Sequence, residues 1–111
     1  MHELGLAQDV LEKVKAEAKA KGMSRVVYAK VKIGEALITD PPEFKEIFST
    51  ICAGSVAEGM QLDLEILPLR AVCSDCKNEF DSKVLRLDCP HCGSTNINIS
   101  SGRELLIEGL K

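Results

Sequence analysis

Two Cys-x2-Cys pairs constrain this chain more than any other feature of its sequence. The pairs are formed by Cys73, Cys76, Cys89 and Cys92. Each pair can place two thiolates on one ion, and a hairpin through residues 77–88 would close them into a tetrahedral four-cysteine site. Gly93 follows the second pair and suits a tight turn under a metal, whereas Lys77 must make the same turn after the first pair. The pattern predicts a metal that helps to form the fold.

Structural zinc is the favoured occupant, because all-thiolate tetrahedral ligation selects zinc or iron. Rubredoxin-type iron sites use similar turns but commonly lie among aromatic side chains, and Phe80 is the only aromatic residue near the pairs. A labile, redox-sensing zinc site stays open as an alternative. Disulfides and a thioredoxin-type redox pair are disfavoured, because the chain does not resemble a secreted protein and carries two pairs rather than one. His91 is interpreted as a solvent-facing spacer rather than a ligand.

Composition narrows the class of protein. The 111 residues suffice for one domain or two small ones, and 28% charged with 45% apolar residues is ordinary globular composition. A net charge of −3 argues against non-specific nucleic-acid binding. No apolar run is long enough to insert into a membrane, and Glu3 and Asp9 lie where a signal peptide would be basic. Unpaired Cys52, interpreted as a buried apolar thiol, fits a reducing cytoplasm, where we expect the protein.

The first half of the chain alternates between helical and strand patterns. A helix is predicted from Leu4, with an apolar stripe completed by Leu6, Ala7, Val10, Leu11, Val14 and Ala18, and with Gly22 as its stop. Residues 25–33 predict a half-exposed strand with Val27, Ala29, Val31 and Ile33 facing inward. Asp40 should cap a second helix, with proline at its first position and Glu43 closing a capping box. Residues 61–67 predict another strand, which Pro68 ends.

The second half predicts a metal ribbon and a final strand. Short alternating runs around residues 79–80, 84–87 and 96–100 are candidate ribbon strands, and residues 103–110 can rejoin the first sheet. The predicted fold class is α+β: a small domain of two helices on a roughly three-stranded mixed sheet, with an inserted zinc-ribbon domain. The expected domains are residues 1–68 with 102–111, and residues 69–101, joined by short linkers at 68–70 and 100–102.

A second candidate metal site lies at the amino terminus. His2 is one residue from the chain's amine, and we expect Met1 to be retained because its removal requires a small second residue. The amine, the imidazole and nearby amide nitrogens would suit square-planar Ni(II) or Cu(II). Glu3 could add an oxygen ligand, orient the imidazole, or favour the helix N-terminus. Spacing alone leaves open that His2 is simply exposed and that Asp40, the other candidate oxygen ligand, only caps its helix.

Four stretches together carry a family resemblance: Met-His-Glu-Leu at residues 1–4, Val-Lys-Ile-Gly-Glu at 31–35, the two cysteine pairs within 73–92, and Gly-Arg-Glu-Leu at 102–105. As an ordered set covering essentially the whole chain, they resemble HypA, the hydrogenase maturation factor and nickel metallochaperone. The resemblance implies transferable nickel on His2 with Glu3, and structural zinc on the four cysteines. It also implies work with the GTPase HypB on the large-subunit precursor of NiFe-hydrogenase. The sequence offers no nucleophile–base pair and no enclosed acid pair, so we expect a non-enzyme, present as a monomer or homodimer.

The sequence departs from that family in three places. Gly5 stands where many relatives have serine, which should weaken the first helical turn. His91 is the only histidine near the cysteines, so a pH-responsive zinc site does not carry over. The glycine-broken ending at residues 107–111 makes the last strand less regular.

The rival interpretation is a zinc-ribbon interaction module without nickel function, for example in transcription or RNA handling. The ribbon carries balanced charges, with Lys77, Lys83 and Arg86 against Asp75, Glu79, Asp81 and Asp88. This balance leaves no positive face, and 4% aromatic residues offer little surface for stacking on bases. We therefore expect no nucleic-acid partner.

Overall fold

The computed structural model describes residues 2–81 and 88–111, without the side chain of His2. In these ranges the chain forms two helices and six strands: α1 (His2–Ala20), β1 (Tyr28–Gly34), α2 (Pro41–Ile51), β2 (Gln61–Leu67), β3 (Arg70–Cys73), β4 (Glu79–Asp81), β5 (Ile97–Ser101) and β6 (Leu105–Leu110). Among the described residues, no helix has the length and apolar character needed to cross a membrane.

The first sheet has the strand order β2-β1-β6, with β1 parallel to β2 and antiparallel to β6. The parallel pair requires a crossover, and α2 supplies it. The helices cover one face of this sheet, because their buried side chains share a hydrophobic cluster with those of β1. That cluster includes Ala7, Val10 and Val14 of α1, Ala29, Val31 and Ile33 of β1, and Phe44 and Phe48 of α2. The predicted mixed sheet with two helices is confirmed.

The start of α2 matches its sequence signals. Asp40 is the N-cap, and its side-chain Oδ1 accepts a hydrogen bond from the backbone N–H of Glu43 at 3.1 Å. Pro41 occupies the first helical position, where a missing N–H costs nothing. Further along, Phe44 and Phe48 stack with their ring centroids 5.8 Å apart, which fixes the apolar side of α2 on the core.

Two inward-facing predictions were wrong. Val27 is 56% exposed, whereas its neighbour Val26 is fully buried. Both residues precede β1, which begins at Tyr28, so the alternation of the strand does not extend to them. The N–H of Val26 bonds to the carbonyl of Val56, and the N–H of Val27 bonds to that of Lys111. Leu4 is 38% exposed, and the buried stripe of α1 begins at Leu6 instead.

The second sheet has the order β4-β3-β5, with both pairings antiparallel. Strand β3 was not predicted, because residues 68–70 were interpreted as a linker. Arg70 instead begins β3 and pairs across the sheet with Glu79, at 2.9 Å, and with Asp81. The predicted strand at residues 84–87 lies outside the described residues. The final predicted strand is present as β6.

The chain crosses between the two sheets twice, and both crossings meet the turn that follows β1. The carboxylate of Glu35 accepts a hydrogen bond from the N–H of Leu69 at 2.9 Å. On the return crossing, the carbonyl of Gly102 accepts from the N–H of Ala36, also at 2.9 Å. Each sheet has its own hydrophobic cluster, but the division into domains at residues 68/69 and 101/102 stays a prediction.

Candidate metal centre

The four predicted cysteines come together at one end of the second sheet. Their Sγ atoms all lie within 4.8 Å of one another. The Sγ atoms of Cys73 and Cys92 are 3.5 Å apart, and those of Cys76 and Cys89 are 3.7 Å apart. A tetrahedral ion with metal–sulfur bonds of about 2.3 Å requires sulfur–sulfur separations of about 3.8 Å. The residues therefore fit one metal ion with four thiolate ligands.

Both cysteine pairs make the same backbone turn. The N–H of Lys77 bonds to the carbonyl of Cys73, and the N–H of Gly93 bonds to the carbonyl of Cys89, each at 2.9 Å. Gly93 has φ of 77° and Lys77 has φ of 65°. The left-handed conformation is free for glycine but costs about 1–2 kcal/mol for a residue with a Cβ. Among the described non-glycine residues Lys77 alone adopts positive φ, so backbone strain coincides with the turn of the first cysteine pair.

Backbone N–H groups point at two of the sulfurs. The N–H of Cys76 lies 3.5 Å from the Sγ of Cys73, and it is the main cause that lowers the pKa of Cys73 to about 7. Burial opposes ionisation of Cys89, but the N–H groups of Cys92 and His91, together with hydrogen bonds from the thiols of Cys76 and Cys92, outweigh it and lower the pKa of Cys89. These donors favour thiolates, the form that binds metal.

The two remaining thiols behave in the opposite way. The backbone N–H of Ser94 favours the thiolate of Cys92, but hydrogen bonding with Cys73 and the other thiols prevails and raises its pKa to about 12. The backbone N–H of Asn78 likewise favours the thiolate of Cys76, but burial and hydrogen bonding with Cys73 and Cys89 prevail and raise the pKa of that thiol. Each close sulfur pair thus joins one thiol of lowered pKa to one of raised pKa. A bound dication would favour the thiolate form of all four cysteines and so release the protons of Cys76 and Cys92.

The apolar surroundings of the site are small. Cys73 and Cys89 are buried, Cys76 is half-buried and Cys92 is exposed, so one side of the cluster faces solvent. Ala71 and Phe80 complete the buried part of the ribbon cluster. Because the buried cluster of the described ribbon residues is this small, we expect a metal to supply much of the ribbon's stability.

The structure also shows the surroundings of His91 and of the fifth cysteine, Cys52. His91 is exposed, as the spacer interpretation expected, and it contributes a backbone N–H to the sulfur of Cys89. Cys52 is buried in the first sheet's cluster, away from the four-cysteine site, and burial raises the pKa of its thiol. All five cysteines are free thiols in the structure.

Sequence reasoning missed a connection between the two cysteine turns. Ser94, directly after the second turn, donates a hydrogen bond from its Oγ to Oδ2 of Asp75 in the first turn. The side-chain amide of Asn96 approaches the other carboxylate oxygen at 3.5 Å. Nothing in the sequence pairs residues this far apart, and Asp75 was counted only as part of the ribbon's charge.

At the amino terminus, the structure places Glu3 but not its neighbour's side chain. His2 is the first residue of α1, which forms despite Gly5 in its first turn. Glu3 is 4% exposed, and its Oε1 accepts hydrogen bonds from the N–H of Thr39 at 3.0 Å and from the hydroxyl of Thr39 at 2.7 Å. The first turn of α1 is thereby held against the segment that leads into α2. Asp40 follows Thr39 and uses Oδ1 for the cap of α2.

Comparison with known proteins covers the whole chain. Residues 1–111 match the family model described as "Hydrogenase/urease nickel incorporation, metallochaperone, hypA". The chain is 34% identical over 111 residues to hydrogenase maturation factor HypA of Desulfitobacterium hafniense, covering 100% of this chain and 97% of that protein. It is 36% identical over 110 residues to HypA of Chlorobium luteolum, covering 99% and 94%.

A solved structure agrees with these sequence matches. The solution structure of the Ni metallochaperone HypA from Helicobacter pylori superposes with a TM-score of 0.73 at 26% identity, covering 100% of this chain and 97% of that one. The fold, the four-cysteine cluster and the matches along the full length lead to one conclusion: this chain belongs to the HypA family of metallochaperones for hydrogenase maturation.

Proposed function

We propose that the protein binds Ni(II) at its amino terminus, through His2 with Glu3, and delivers it to the large-subunit precursor of NiFe-hydrogenase together with the GTPase HypB. The observation that carries this proposal is the full-length match to a family described by nickel incorporation. The histidine stands at the start of a helix whose next residue is anchored to another element. The family description also names urease, so a nickel-dependent hydrolase is a second recipient to test.

The two residues have different roles in this proposal. The imidazole of His2 is a nickel ligand, with nitrogen atoms near the chain's start completing a square-planar set. Glu3 belongs to the site as the residue that fixes the first turn of α1 through Thr39. A chelate at the end of a chain suits a carrier, because a recipient's ligands can replace its own one at a time.

For the four-cysteine centre we propose structural Zn(II), held by Cys73, Cys76, Cys89 and Cys92. The sulfur separations fit a tetrahedral thiolate site, and the metal would complete a ribbon whose apolar cluster is small. Zinc bound in this way contributes folding free energy, so it is not the cargo. We also propose that the protein is not an enzyme and that it works in the cytoplasm, where five free thiols are stable.

The first test uses the chain's two histidines as a matched pair. Protein without an amino-terminal tag is titrated with Ni(II) and weighed by native mass spectrometry. We expect His2→Ala to lose specific nickel binding and to retain one zinc, because the imidazole is a ligand only of nickel. The control His91→Ala should retain both metals.

The outcomes separate the possible functions. If His2→Ala bound nickel with unchanged stoichiometry and affinity, the amino-terminal site would be wrong. If the unmodified protein held zinc and no specific nickel, a zinc-ribbon interaction module would replace the chaperone, and its partners would be sought by affinity capture.

A further inference from the structure

The two cysteine turns are joined by a side-chain contact that involves no sulfur. Asp75 lies between the ligands Cys73 and Cys76, and Ser94 lies directly after the second turn. Ser94 is held to that turn because its carbonyl accepts a hydrogen bond from the N–H of Cys89 at 2.8 Å. A bond between Asp75 and Ser94 therefore connects the ligands of one pair to those of the other.

The geometry around Ser94 gives this bond a direction. The hydroxyl Oγ accepts a hydrogen bond from the N–H of Asn96 at 3.0 Å. Its own proton is then free to point at the carboxylate of Asp75, to which it donates. Hydrogen bonds to a charged acceptor are stronger than neutral ones. The side-chain amide of Asn96 supports the other carboxylate oxygen at 3.5 Å.

We propose that Asp75 and Ser94 form a latch across the two cysteine turns, and that this latch slows the loss of the metal from the four-cysteine site. The proposal rests on the zinc occupancy proposed above and adds a kinetic role for two residues that are not ligands. For the ion to leave, the two turns must separate or the ligands must be exchanged one after another. A bond that keeps the turns together opposes the first of these routes and leaves a released cysteine close enough to rebind.

The chain offers variants that separate the latch from a simple charge effect. Ser94→Ala removes the donor and leaves the charge of Asp75 in place. Asp75→Asn removes the charge but keeps an oxygen that can accept from Ser94, and Asp75→Ala removes both. Ser100→Ala is the control, because Ser100 is an exposed serine of β5 in the same sheet.

The test measures transfer of zinc from the full-length protein to excess 4-(2-pyridylazo)resorcinol, followed by absorbance. We expect Asp75→Ala and Ser94→Ala to release zinc about three- to tenfold faster than the unmodified protein, the range for losing a partly exposed, charge-assisted hydrogen bond. Asp75→Asn should fall between them and the unmodified protein. Ser100→Ala should not differ from the unmodified protein.

A double variant tests whether the two residues act through each other. Because the latch needs both partners, Asp75→Ala with Ser94→Ala should release zinc no more than twofold faster than the faster single variant. Multiplied effects would mean independent roles and would overturn the latch. Circular dichroism verifies that each zinc-loaded variant is folded before its release rate is compared.

The remaining outcomes distinguish this inference from the proposed function. If the single variants retain zinc and release it at the unmodified rate, the latch is wrong and the zinc assignment stands. If Asp75→Asn and Asp75→Ala have equal effects while Ser94→Ala has none, the carboxylate acts by charge alone. If the unmodified protein holds no zinc, both the zinc assignment and the latch fail.

Discussion

At the scale of single residues, two glycines lie against backbone atoms where the two sheets are joined. A Cβ added to Gly34 would come within 2.1 Å of the carbonyl oxygen of Gly102, a backbone atom that cannot move aside cheaply. Gly102 has φ of 103°, and a Cβ there would lie 2.5 Å from the Cα of Leu69. The end of β1 and the return crossing therefore both require glycine.

We expect Gly34→Ala to lower the free energy of unfolding by about 2–3 kcal/mol, because the added methyl group forces the backbone apart. The measurement is urea denaturation of the zinc-loaded protein. Gly109→Ala is the matched control, because it adds the same methyl group in β6 with nothing within 4 Å. Equal stability of the two variants would show that the junction adjusts freely.

The role of a residue was predictable where it depends on neighbours in the sequence, and not where it depends on contacts with residues far along the chain. The four cysteines were identifiable because ligand spacing is a local pattern, and Asp40 because a cap acts within three residues. The assignment of Glu3 to a nickel site stays a prediction, and its bonds to Thr39, 36 positions away, were not predictable from the sequence. The contact between Asp75 and Ser94 was missed for the same reason, since only the folded turns bring them together.

At the scale of elements, α2 begins at a side-chain cap supplied by Asp40. We expect Asp40→Ala to lower the free energy of unfolding by about 0.5–2 kcal/mol, because the N–H of Glu43 loses its acceptor. Asp40→Asn keeps an oxygen at the same place and should cost less than about 0.5 kcal/mol, because Asn and Asp are equivalent caps. Urea denaturation of both variants checks the difference, and equal losses would assign the effect to the charge of Asp40 rather than to its cap.

Strands were predictable where their apolar residues alternate over a long run. β1 and β2 have seven residues each, and their inner faces were identified apart from Val27. β3 has only four residues and follows Pro68, so its pattern was too short to distinguish from a linker. β3 is a strand because it pairs with β4 on one side and β5 on the other, and both partners come later in the chain.

At the scale of the whole molecule, the two sheets differ in what stabilises them. The buried cluster of the first sheet has fifteen residues among those described, whereas the ribbon cluster has four, two of which are cysteines. We therefore expect the first sheet to fold without a metal. We expect the ribbon to need one, because the buried apolar cluster of its described residues is small.

Removal of zinc should therefore unfold one sheet and leave the other. We expect a strong chelator to abolish amide hydrogen-exchange protection in β3 and β5, while β1 stays protected as in the zinc-loaded protein. Exchange followed by mass spectrometry or NMR measures both regions in one sample. Readdition of zinc is the control and should restore protection. Loss of protection in β1 together with β3 would mean that the sheets unfold as one cooperative unit.

The two ends of the ribbon segment lie side by side, which favours exchange of that segment between related chains. The hydroxyl of Ser101 donates a hydrogen bond to the carbonyl of Pro68 at 3.1 Å, so the segment between them leaves and returns at one point. A segment with adjacent ends can be exchanged between relatives with little change in loop-closure entropy. Chimeras that join residues 1–68 and 102–111 of one relative to the metal ribbon of another would preserve both sheets. Such chimeras would assign partner choice to one half of the molecule or the other.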